Sequence, residues 1–177
     1  MASLGHIAVG MAAARYESAR PAPLLGSLFA SMVLWSGLSL LPDADVIGFR
    51  LGVAYGDEWG HRGASHSLVI SCLVALVFAG IARLAERPFL RTLAIGAVVV
   101  GSHGLLDALT DGGLGAALLW PFSHERLFAP VSPLPVAPIG RALLSPRGLY
   151  VMVIELAWFA PLFVYALRPK RAAAAYP

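Results

Sequence analysis

The histidines of this chain, and several of its aspartates, stand at the edges of strongly apolar segments. His6 falls in a first short apolar stretch. Asp43 and Asp45 close the next one as Leu-Pro-Asp-Ala-Asp, His61 and His66 open another within His-Arg-Gly-Ala-Ser-His-Ser, and His103 precedes Asp107 by four residues near the end of a fourth. Imidazole and carboxylate are the ligand types that suit zinc, manganese or iron. Placing so many of them beside lipid-spanning sequence is costly unless something binds them together. A divalent metal ion would do so.

Each group also has a plainer reading. His103, Asp107 and Asp111 project from one helix face, and a histidine one turn from a carboxylate can chelate one ion or bridge two. Alternatively, His103 hydrogen-bonds a neighbouring helix and Asp111, in Thr-Asp-Gly, caps a turn. Asp43 and Asp45 are either turn-forming residues after a proline-terminated helix or carboxylates that chelate jointly, one binding the ion while the other orients a ligand. His61 and His66 flank Arg62, whose guanidinium can hold an anionic oxygen bidentately. Gly63 permits a tight turn, and Ser65 and Ser67 suit the N-terminus of the next helix. His6 is ambiguous alone and gains meaning from the other ligands. His124 reads as a loop histidine, and Arg126 either contacts substrate or snorkels to the interface. Glu155, two turns inside the last apolar segment, either supports a ligating imidazole or Arg62, or stays protonated and bonded within the bundle. Ser65 and Ser102 each precede a histidine in a repeated Ser-His-x-Leu string.

Elements of a membrane protein must position these residues. Of 177 residues, 58% are hydrophobic and 13% charged, against roughly 25% charged in soluble domains. The formal charge of +3 is spread over short loops, which argues against nucleic acid as a partner. The lone Cys72 excludes an internal disulfide and disfavours a thiolate zinc site. No signal peptide is expected, because a positive n-region and a cleavage motif are missing from the first residues.

About 20 apolar residues cross a bilayer, and four windows qualify: 24–41, 68–84, 89–109 and 148–167. The segment 3–14 is too short to cross and is expected as a short helix tucked against the bundle. Pro42 should end the first span and Pro88 part the second from the third. Residues 112–146 form an irregular outer cap with one short helix. The expected fold is therefore an all-α, membrane-embedded helical bundle over residues 1–168, with a basic and Ala-rich tail over 169–177.

Arg15, Arg20, Arg83, Arg87, Arg91, Arg168, Lys170 and Arg171 fall on one side of this topology, and Arg50, Arg62, Arg126, Arg141 and Arg147 on the other. The positive-inside rule then places both termini in the cytoplasm. Asp43, Asp45, His61 and His66 reach the outer face. His103, about 21 Å up a helix entering from the cytoplasm, lies in the outer third of a core about 30 Å thick. Separate stretches thus deliver ligands to one depth, although the topology used Lys and Arg alone.

In order, His6-x-x-x-Gly10, Leu41-Pro42-Asp43-x-Asp45, His61-Arg62-Gly63-x-Ser65-His66-Ser67, Ser102-His103-x-x-x-Asp107 and Pro121-Phe122-Ser123-x-x-Arg126 resemble the YdjM-like family. Its members are bacterial inner-membrane proteins described as membrane-bound metal-dependent hydrolases. The motif order is more distantly similar to the zinc-dependent phospholipase C and nuclease group, all-helical enzymes with clustered zinc and phosphoester substrates. Those resemblances imply that His6, Asp45, His61, His66, His103 and Asp107 line a site for one to three divalent ions, zinc first and manganese next. Asp43 or Asp45 would orient water or act as base, and Arg62 and Arg126 would neutralise a phosphoryl-type oxygen. Asp111, Glu155, Ser65 and Ser102 would support the ligands. The expected activity is hydrolysis of a phosphoester in a membrane lipid or lipid-linked substrate at the outer face of the inner membrane. The alternative is a metal-binding or metal-transport protein without hydrolytic activity, which calls for ligands near the midplane and broken helices around them.

Overall fold

A computed structural model describes residues 3–18 and 25–168. Leu24, Arg20, Lys170, Arg171 and the 169–177 tail lie outside the described residues. The described residues form five α-helices: α1 (Ser3–Glu17), α2 (Leu28–Leu40), α3 (Leu68–Leu84), α4 (Phe89–Ala108) and α5 (Pro146–Leu167). No strand occurs among the described residues, and the protein is an all-α membrane bundle.

Local chemistry sets the helix ends. The hydroxyls of Ser27, Ser67 and Ser145 accept from the backbone N–H groups of Ala30, Ile70 and Gly148, at 3.1, 3.1 and 3.2 Å, which satisfies donors that a helix start leaves orphaned. Pro146 occupies the first turn of α5, where a missing N–H costs nothing.

Among the described residues, three stretches are long and apolar enough to cross a membrane: Leu28–Leu51, Phe89–Ala108 and Pro146–Leu167. Helix α3 keeps its expected bounds but has only 17 residues, at the lower edge of a spanning length. Pro42 does not stop the first span as expected. The chain tightens there into a 3-10 helix, Leu41–Leu51, in which proline sits in the opening turn and forgoes only the single bond its N–H would make. Gly52 ends it with a left-handed φ of 84°, a conformation that suits glycine.

The largest departure concerns α1. It runs three residues past the expected 3–14, and it is central, packing against α2, α4 and α5. Small residues permit this. A Cβ added at Gly10 would lie 2.4 Å from the Ser36 backbone of α2. Lipid offers little hydrophobic drive to bring helices together, so close approach across small residues takes its place. Trp35, Met32, Ala14, Val99 and Ala166 pack where these helices meet. Phe29, Val98, Val153 and Trp158 are exposed, as suits surfaces that face acyl chains.

Candidate metal centre

Four segments converge at the end of the bundle where α1 begins and α4 ends. Helix α1 delivers His6, the 3-10 helix after α2 delivers Asp43 and Asp45, the turn before α3 delivers His61, Arg62 and His66, and α4 delivers His103 and Asp107. Close packing of the backbone holds them. A Cβ at Gly104 would lie 2.3 Å from the His66 carbonyl oxygen, so the His66 turn lies directly against α4.

Asp43, His66, His103 and Asp107 form the inner group, each offering one ligand atom within 4.8 Å of the others. His66 Nε2 and His103 Nε2 are 3.1 Å apart. Asp43 Oδ1 lies 3.5 and 3.3 Å from those nitrogens, and Asp107 Oδ2 is 3.5 Å from His66 Nε2. A second group, Asp45, His61 and His66, meets the same distance limit.

Partners on the far side of each ring determine what these nitrogens can do. His103 Nδ1 donates to the Ser39 carbonyl at 2.6 Å. His66 Nδ1 has Ser65 Oγ at 3.0 Å and Asp45 Oδ2 at 3.2 Å. Both assignments place the proton on Nδ1 and turn a lone pair on Nε2 inward. Two lone pairs at 3.1 Å, with carboxylate oxygens beside them, repel one another unless a cation lies between. Both oxygens of Asp43 are buried without a hydrogen-bond partner, as a ligand awaiting an ion would be. A divalent ion fits this donor set.

Protons can partly take that place. Burial would lower the pKa of His66, but Asp107, Asp43 and Asp45 outweigh it and raise the pKa to about 10.

Asp45 is crowded with donors: His61 Nδ1 at 2.7 Å, Ser65 Oγ at 2.6 Å and the Arg62 N–H at 3.2 Å. Asp43, which the sequence offered both as a chelating carboxylate and as a residue for water or base chemistry, lies in the inner group. His6 approaches its edge, with Nε2 3.4 Å from Asp107 Oδ1 and its ring stacked on His103 at 3.7 Å.

Arg62 is fully buried and has a left-handed φ of 65°, a strained conformation for a non-glycine residue. Its Nε lies 3.0 Å from Asp107 Oδ2, its Nη1 donates to the Gly112 carbonyl at 2.8 Å, and its Nη2 has no hydrogen-bond partner.

The structure does not bring every expected residue to the cluster. Arg126 donates to the backbone carbonyls of His61, Tyr55 and Asp57 at 2.7, 3.0 and 2.8 Å, and so braces the loop that carries His61. Asp111 Oδ1 accepts from the Val136 N–H at 2.7 Å. Ser102 Oγ donates to the Val99 carbonyl within α4. Glu155 is buried and accepts from the Leu4 N–H at 2.6 Å, which anchors the first turn of α1 two residues before His6. His124 is exposed, 3.8 Å from Glu58.

Two contributors were not foreseen. The Ser39 carbonyl is invisible to arguments from residue type, yet Pro42 was its signal. In the 3-10 register, where the Leu41 N–H bonds Leu38 O, residue 42 would donate to Ser39 O. Proline has no donor, and the carbonyl is left for His103. Tyr55, whose ring meets His61 edge-on at 5.2 Å, carried no comparable signal.

Comparison with known proteins places the chain among inner membrane proteins. The family model described as YdjM inner membrane protein matches residues 1–173. The inner membrane protein YbcI of Escherichia coli (strain K12) is 44% identical over 133 residues, which cover 74% of this chain and 75% of that protein. No solved structure matches the chain.

Proposed function

The chain belongs to the YdjM inner membrane protein family, and from that premise we propose that it is a membrane-bound, metal-dependent hydrolase acting on a phosphoester of a lipid or lipid-linked substrate. One observation carries the reading: His66 Nε2 and His103 Nε2 face each other at 3.1 Å beside the unpartnered carboxylate of Asp43, all of them buried. A bound divalent ion supplies Lewis-acid polarisation and a water nucleophile near neutral pH.

The residues of the chain divide the remaining roles. Asp43, His66, His103 and Asp107 hold the ion, with His6 adjusting Asp107 from its other side. Asp45 orients His61 and His66, and Ser65 fixes Asp45. The free Nη2 of Arg62 is available to bond an anionic oxygen, while its Nε holds Asp107 in place. Asp43 is the most exposed member of the inner group, at 8% against 1% or less for the others, so substrate approaches beside it. There the 3-10 helix exposes Leu41, Ile47 and Leu51, apolar side chains suited to the lipid boundary. The charge pattern favours an outer-face location for this end of the bundle.

The test pairs metal analysis of purified protein with a panel of phospholipid and lipid-phosphate substrates. The wild type should carry zinc or manganese and release product. His66→Ala and His103→Ala should lose the metal, and Arg62→Gln should keep it while losing most turnover. Protein that retains the ion but turns over no phosphoester would favour the metal-binding or transport reading. Unchanged metal in both histidine variants would end either one.

A further inference from the structure

Helices α4 and α5 do not pack on each other among the described residues; α1 bridges them. Between them lies a lateral groove of about 530 Å³, walled by Val9, Ala13, Ile95, Val98 and Leu162. Such walls give water no hydrogen-bonding partner, and in a bilayer the groove opens sideways onto hydrocarbon.

One end of the groove differs in character. Arg91, Tyr16 and Tyr165 line it there. The Arg91 guanidinium lies 5.7 Å from the Tyr16 ring and donates to the Glu17 carbonyl at 3.2 Å. Arg168 sits 4.5 Å over the Tyr165 ring, and Arg15 donates to the Arg168 carbonyl. Arg91 thus lines this mouth and Arg168 stands beside it on the Tyr165 ring, while the neighbouring Glu17 is buried with its carboxylate toward Trp35 Nε1. Tyrosine and arginine together mark the level of lipid headgroups. The complement to an apolar slot with a cationic, aromatic mouth is an anion that carries a hydrocarbon tail.

We propose that this groove seats one acyl chain of an anionic phospholipid, with the phosphate held by Arg91 and Arg168. Arg91 and His103 are 12 residues apart on α4, about 18 Å along the helix. The lipid therefore binds at the opposite end from the metal centre, and the site is independent of the hydrolase reading. Its role is to fill the gap that α1 leaves between α4 and α5.

Native mass spectrometry of the full chain, released from detergent in the presence of phosphatidylglycerol or phosphatidylcholine, tests the site. We expect one phosphatidylglycerol retained per chain, bound at least tenfold more tightly than phosphatidylcholine. Ala94→Trp, which fills the groove from α4, should abolish retention, and Arg91→Gln and Arg168→Gln should each weaken it several-fold, with metal content unchanged in all three. Equal retention of both lipids, or retention indifferent to both arginines but lost in Ala94→Trp, would mean that the groove takes an acyl chain without the arginines holding its phosphate and would overturn the proposal. A lipid-free dimer that separates on Ala94→Trp would assign the groove to a second copy instead. Absence of any lipid adduct from protein with normal metal content and helicity would also overturn it.

Discussion

The geometry of the centre depends on which nitrogen of each imidazole carries its proton. His103 is set by a backbone carbonyl, and His66 by a hydroxyl and a carboxylate. Pro42→Ala would restore a donor that competes for Ser39 O. Metal affinity should fall about tenfold, the low end for an outer ligand partner, and chelator competition would measure it; an unchanged affinity would mean the carbonyl is not held free by proline. His66 gives a pH dependence. Its pKa rises from 6.5 to about 10 in the folded, metal-free chain. Protonated His66 therefore stabilises that chain fully below pH 6.5, and the contribution disappears as pH rises through 10. Thermal melts of chelator-treated protein should show a falling midpoint across that window. Metal must displace the same proton, so affinity should rise with pH. The sequence made most of these side chains legible, because ionisable groups beside apolar runs stand out. It did not reveal how they share the work: Asp43 and Asp45 are two residues apart and chemically identical, and only the 3-10 twist turns one to the centre and the other to the outer partners.

At the scale of elements, apolar length and proline or serine boundaries were enough to find α3, α4 and α5 within about two residues. Helix α1 was harder to read. Its apolar run is short and its small residues lack an obvious periodicity, so its central position could not be inferred. That position depends on the contact between Gly10 and the Ser36 backbone. Gly10→Val should force α1 and α2 apart at a cost of about 1–3 kcal/mol, as overpacking usually does, and should displace His6 as well. A lower melting temperature together with weakened metal retention would bear this out. Normal metal content in a destabilised Gly10→Val protein would show that His6 lies outside the essential ligand set.

For the whole molecule, Arg15, Arg91 and Arg168 gather at one end and the histidine cluster lies at the other. This separation matches the expected split between an arginine-rich end and a histidine-bearing end. Helix α1, however, starts at the metal end and α5 finishes at the arginine end, so the described chain begins and ends at opposite ends of the bundle, against the expectation that both termini are cytoplasmic. With Cys72 replaced by serine, Ser132→Cys should react with an impermeant maleimide added outside cells or spheroplasts, and Glu86→Cys should react only after permeabilisation. The reverse pattern would place the centre on the cytoplasmic side and exclude an outer-leaflet substrate.

Because α1 is too short to cross a bilayer alone and finds its neighbours in α2, α4 and α5, biogenesis must run in a particular order. The first helix to leave the ribosome can pack on α2 early but completes its contacts only once the fifth has been inserted. Glu155 then anchors its opening turn and draws His6 to Asp107. A chain stalled before α5 would hold Asp43, His66, His103 and Asp107 but would lack the anchor that brings His6 to Asp107.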